Sequence, residues 1–175
     1  MACALTAGMT LDCRDAVGGI TTVYIVENAN VSSVTASSGT ITAISMSGSA
    51  KFWTYSFKDE TGEFTDELML SDANGTQYSE QTLTFPTFKM SATKRAQIKL
   101  LAQNQLCIMV TCTNDANGNT ATFLMGEGIG ATLQNTKGTS GKMKGDMNGY
   151  TLTFKAHEIA QAQVVTNSII AAIVQ

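Results

Sequence analysis

The chain has 175 residues, a mass of 18.5 kDa, a net charge of −3 and a pI near 5.0; that is enough for one domain with a full core, and the acidic balance argues against nucleic-acid binding, which needs a concentrated basic face. Charged residues make up only 14% of it, against about 25% in an ordinary soluble domain. Copies therefore repel one another weakly, and self-association is the natural expectation.

Residues 1–19 hold no basic residue before Arg14 and no continuous apolar run. That argues against a secretory signal and predicts an N-terminal arm on a protein made in the cytoplasm. Strand signals begin with Ile20–Val26 (ITTVYIV) and Thr40–Met46 (TITAISM), both rich in β-branched residues. Lys51–Phe57 alternates Trp53, Tyr55 and Phe57 against Phe52, Thr54 and Ser56 and reads as a third strand.

From Asp59 to Phe88 there is no Lys, Arg or His, while seven of the fourteen acidic residues fall there. Such a stretch is either a solvated loop or an acidic hairpin arm, over residues 58–75, that reaches an adjacent copy. In the second reading Gly62 is a pivot, Asp59, Glu60, Glu63, Asp66 and Glu67 supply charge, and Phe64, Leu68 and Leu70 are buried against the partner. Such an arm orders only on assembly.

Asn74-Gly75, Asn117-Gly118 and Asn148-Gly149 each predict a type I′ reversal, because Asn and Gly tolerate the positive φ that both central residues need. Leu106–Thr113 and Thr120–Glu127 then form one hairpin. QTLTF at Gln81–Phe85 and YTLTF at Tyr150–Phe154 place Leu and Phe on one face and Thr on the other, the pattern of half-buried strands in one sheet.

One short helix is predicted over Ser91–Asn104, with Ser91 as N-cap and Pro86 punctuating the chain ahead of it. Ile98, Leu101 and Ala102 form its main apolar face; Lys94, Arg95 and Lys99 make it basic. Leu100 and Ala96 project from another side, either as a stray surface leucine or as a face for a partner. After Glu158, residues 159–175 are uncharged but too often interrupted by Gln, Thr, Asn and Ser for a membrane span, which predicts a C-terminal arm.

The chemistry of catalysis is missing from the pattern. His157 is the single histidine and has no nucleophile motif around it. Asp115–Asn119 has its glycine too early for a calcium loop, and Gly126–Gly130 leads into strand-like sequence, not into a phosphate-binding helix. Cys3, Cys13, Cys107 and Cys112 lack metal spacing. Cys107 and Cys112, an odd number of residues apart in one strand, point to opposite faces, so free thiols are expected. No catalytic residue, metal or cofactor is expected.

The order of these elements, a strand through Gln81-Thr-Leu-Thr-Phe85, the helix at 91–104, the hairpin from Leu106 to Glu127 and the closing Gly145-Asp-Met-Asn-Gly-Tyr-Thr-Leu-Thr-Phe-Lys-Ala-His-Glu158, resembles the tail tube proteins of tailed bacteriophages. The resemblance is concentrated in residues 76–158. It implies a mainly β, two-sheet sandwich with one flanking helix, assembled as hexameric rings stacked into the conduit for DNA ejection. It also implies that a long hairpin and the terminal arms make contacts between subunits or rings, with other tail proteins as partners and DNA passing through the lumen unbound. The assembly residues would be the acidic arm together with Lys94, Arg95, Lys99 and Leu100, and the location would be the virion tail. Inner-tube proteins of bacterial contractile injection systems share that fold. The strands within Ala29–Ala50 depart from a minimal tube subunit. A capsid decoration or head-to-tail joining protein fits the same composition, and a carbohydrate-binding sandwich would expose Phe52, Trp53 and Tyr55 together. If DNA passes through, acidic residues line the channel, drawn from the arm or from Asp115, Glu127, Asp146 and Glu158.

Overall fold

The computed structural model describes residues 7–11 and 14–175. Two antiparallel-dominated sheets pack face to face, as the alternating strands require. The first has seven strands in the order β2-β3-β11-β8-β7-β1-β4 and the second four, β5-β6-β10-β9. They are β1 Ile20–Glu27, β2 Val31–Ser37, β3 Thr40–Met46, β4 Trp53–Tyr55, β5 Glu63–Ser71, β6 Thr76–Phe88, β7 Leu106–Thr113, β8 Thr120–Met125, β9 Thr132–Thr139, β10 Gly149–Glu158 and β11 Gln163–Val165. Two helices, α1 Ala92–Gln103 and α2 Asn167–Ile173, complete the fold. The expected mainly β two-sheet sandwich with a short helix is what the chain forms, with a second short helix added.

The two TLTF strands are neighbours. Leu152 stands opposite Phe85 and Phe154 opposite Leu83 in the β10–β6 ladder. Their inward side chains meet Val23 and Ile25 of β1 and Ile108 and Val110 of β7 in the core between the sheets. Phe85 stacks on Phe154 at 5.9 Å and on Phe57 at 5.3 Å. Burying each such ring is worth about 1.5–3 kcal/mol.

A second core lies on the far face of the seven-stranded sheet. Cys107 and Met109 of β7, Phe52, Ile41, Ile44, Leu124 and Val165 are buried there under Ile169, Ile170 and Ile173 of α2. The run Leu106-Cys-Ile-Met-Val110 is continuous because both its faces are covered. In the β2–β3 hairpin Val31 and Val34, and Ile41 and Ile44, are three apart, a spacing that breaks strand alternation. Bulges between Val31 and Ser33 and between Thr35 and Ala36 shift the register there, and both pairs reach the second core. The strands within Ala29–Ala50 therefore form one wall of that core.

Several expectations need correction. The uncharged C-terminal segment is no projecting arm: β11 pairs with β3 and β8, α2 covers the second core, and Val174 bridges Phe52. Val165, Ile169, Ile170, Ile173 and Val174 find their partners inside the chain, while Ile159 stays exposed. Part of the N-terminal arm, residues 1–6 and 12–13, lies outside the described residues, and so do Cys3 and Cys13. Nearer the body, Ala16 bridges Asp115 and pins the segment to the β7–β8 loop.

The Asn-Gly pairs do not make type I′ turns, since among their residues only Gly75 and Gly118 have positive φ. Residues 72–75 and 114–119 are longer loops. Asn148-Gly149 starts β10, where a Cβ on Gly149 would stand 2.1 Å from the Thr87 carbonyl oxygen. Pro86 does not end β6, which runs on to Phe88. Beyond Thr84 the β5 partner has stopped, so the missing proline N–H costs no ladder bond.

Candidate assembly surface

Residues 58–75 do form a hairpin, but it is built into the body. All nine residues of β5 pair with β6, from Glu63 opposite Thr84 to Ser71 opposite Thr76. Backbone pairing of this length orders the strand within one chain, so no partner is needed. Gly62 is no pivot either: a Cβ there would lie 2.5 Å from the Ile20 side chain, and glycine lets the backbone press against β1.

The predicted arm residues divide by strand parity. Phe64 turns inward and stacks on Phe123 at 6.0 Å. Asp66 also turns inward, where it accepts from the Ser79 hydroxyl and, at 2.7 Å, from the Ala162 N–H. Asp59, Glu60, Glu63 and Glu67 remain exposed. Beyond Ser79, the last β6 residue opposite β10, the hairpin projects as two strands, with Leu68 and Leu70 exposed; Leu70 is 66% accessible.

Helix α1 sits on the other side of the four-stranded sheet, against β9. Ser91 caps it as expected, its hydroxyl accepting from the Lys94 N–H at 3.2 Å. Leu101 and Ile98 pack into the inter-sheet core, while Ala102 is exposed, contrary to expectation. Lys94 reaches back to the Phe88 carbonyl. Arg95 and Lys99, one turn apart, are exposed. Leu100 points elsewhere, with Gln97, into a groove of about 380 Å³ whose opposite wall includes Trp53 and Tyr55.

The outward face of the four-stranded sheet is polar. Directly opposed residues share a face, which places Glu63, Thr84, Thr153 and Asn135 in one row and Thr65, Thr82 and Lys155 in the next. Glu67, Glu80 and His157 form a third row. Lys155 and His157 both pair with Glu80, the latter at 3.4 Å. The Lys155 hydrogen bond, above all, holds the Glu80 carboxyl below its ordinary value. Lys137, opposite Thr151, adds a cation on β9. This cation is in neither of the two segments where the sequence concentrates charge, and only the strand register reveals its position.

Three of the four other acidic candidates, Asp115, Asp146 and Glu158, are committed to backbone. Asp115 organises its loop by accepting from the N–H groups of Asn117 and Asn119 at 2.9 and 3.1 Å and from the Asn119 side chain. The Asn119 side chain chiefly holds the Asp115 carboxyl low. Asp146 accepts from the Lys142 and Met143 N–H groups at 2.8 Å, which lowers its carboxyl as well. Glu158 is 7% exposed, and one of its oxygens accepts from the N–H groups of Gly128, Ile129 and Gly130 at 3.2, 2.9 and 3.2 Å. A carboxylate so held is a structural clasp and not a free wall charge. Glu127 beside it is pushed up, first by burial and then by the charge of Glu158.

The thiols of β7 lie as strand parity requires: Cys107 in the second core, Cys112 against the first, both free. Burial pushes the Cys107 thiol to about 12, so it stays protonated and inert. Among the described residues no group of three or more His, Cys, Asp or Glu is placed to hold a metal, and no helix is long and apolar enough to cross a membrane. No protein-family model matches the chain, and no curated protein or solved structure matches it either.

Proposed function

We propose that this chain is a virion structural protein that self-assembles into stacked rings, the tail tube through which phage DNA leaves the capsid. The observation that carries the reading is the four-stranded sheet. It buries one face in the core, presents a hydroxyl-rich polar face outward, and leaves the outer edges of β5 and β9 without a strand partner among the described residues. Unpaired edges are a liability in a monomer and a means of closure in a ring. The low charge density supports the same reading, as does the likeness of element order to tail tube proteins. Within it, the other partners are further tail proteins, and DNA passes without specific binding.

A carbohydrate-binding surface has less support. Of its three aromatic candidates Phe52 is fully buried and Tyr55 half-buried, leaving Trp53 alone, 58% exposed. Negative-stain microscopy of the purified protein, with light scattering over a concentration series, is the test. Rings or hollow filaments are expected. A monomer at every concentration, also with tail components added, refutes the proposal, and small closed oligomers without filaments point to a decoration or joining protein.

A further inference from the structure

We infer that the subunits meet head to tail through two flanks of opposite charge: the acidic β5 edge of one copy against the basic α1–β9 side of the next. The inference rests on the ring-forming reading and names the surface that serves it.

Three observations converge. First, the flanks lie on opposite sides of one sheet, because β5 and β9 are its two ends. Second, each carries a single dominant sign. Glu63 and Glu67 on β5, with Asp59 and Glu60 in the segment before it, are exposed, against one lysine, Lys58. On the other side Arg95 and Lys99 of α1 and Lys137 of β9 are exposed, and neither of those two elements contains an acidic residue. Third, the strand directions permit the join. The pairs β5–β6, β6–β10 and β10–β9 are all antiparallel, so β5 and β9 run oppositely. A rotation about an axis along the strands brings β5 of the next copy beside β9 with the antiparallel alternation unbroken, for any number of copies. An odd strand count would force a parallel join at every seam.

Opposite charges set orientation and partner choice more than affinity, and an exposed pair is weak by itself. The summed flanks therefore act chiefly to admit the head-to-tail pairing and to reject acidic against acidic or basic against basic.

Charge reversal tests this. One variant, Glu63→Lys with Glu67→Lys, has two basic flanks; another, Arg95→Glu with Lys99→Glu and Lys137→Glu, has two acidic flanks. All five positions are exposed, and circular dichroism verifies that each variant is folded. At about 0.05 M salt, where screening is slight, each variant alone is expected to stay unassembled. An equimolar mixture is expected to assemble by strict alternation, into rings with an even number of subunits. Wild-type protein that assembles while both variants also assemble alone overturns the flank pairing and leaves the ring reading standing. Variants that fail alone and fail when mixed overturn it too. A wild type that never assembles refutes the ring reading itself.

Discussion

The two sheets of this protein meet the same solvent in different ways. The central strands of the seven-stranded sheet are covered on both faces, by the second sheet on one side and by α2 on the other. The four-stranded sheet is covered on one face only. Its strands alternate with period two, buried at Leu83, Phe85, Leu152 and Phe154 and partly exposed at Thr82, Thr84, Thr151 and Thr153. The central strand β7 of the larger sheet does not alternate at all. The half-covered sheet thus keeps one face in contact with water, whereas the central strands of the larger sheet are dry on both faces.

The sharpest way to break this comparison is to cut into each core. Phe154→Ala empties the inter-sheet core and should cost about 3–5 kcal/mol in urea unfolding. Phe52→Ala does the same on the far face of the larger sheet and is expected to cost as much. A loss under about 1 kcal/mol at Phe52 would show that α2 lies loosely on the sheet. Glu158→Gln keeps the shape of the clasp on Gly128–Gly130 but turns three charge-assisted bonds into neutral ones. A loss of about 2 kcal/mol is expected, read from the denaturation midpoint.

Glu127 sharpens the comparison by pH. Its carboxyl is raised above 4.5 in the fold, so its ionised form opposes folding, and the stability it gives when protonated is lost as pH rises from 4.5 through the raised value. Glu127→Gln should therefore stabilise the protein at pH 7, with the gain vanishing below pH 4.5. The lowered carboxyls of Asp115, Asp146 and Glu80 act in the other sense. They favour the fold above their ordinary values and lose that contribution as pH falls. The smallest effect is expected on the wet face: Thr84→Val with Thr153→Val removes a hydroxyl pair 3.2 Å apart and should change stability by less than about 0.5 kcal/mol. A larger loss would mean that this face is structurally committed and not merely solvated.

Where a rule of local chemistry applied without competition, the sequence was legible. The TLTF strands became neighbours, Ser91 capped the helix, Leu106–Thr113 joined Thr120–Met125 as a hairpin, and Cys107 and Cys112 faced apart. Where several partners could satisfy the same residues, it was not. The tail from Ile159 looked like a free arm because nothing local says that its isoleucines cover a sheet made about sixty residues earlier. Asp66 and Glu158 looked like surface acids, yet each accepts an N–H from a distant segment. The i, i+3 spacing of Val31 and Val34 and of Ile41 and Ile44 was a visible sign of bulges, though only the β2–β3 register locates them.

The sequence by itself determined that this is a β protein with one well-capped helix, two alternating Thr-faced strands and charge separated into an acidic and a basic segment. Hydrophobic period, capping and turn propensity act over a few residues and need no knowledge of the rest. Tertiary structure alone decided that the far face of the larger sheet is a core, that Lys137 joins the basic helix on one flank, and which carboxylates are spent on backbone N–H groups. Those outcomes depend on which distant strands become neighbours, and long-range pairing is fixed by the summed burial of the whole chain and not by any one segment of it.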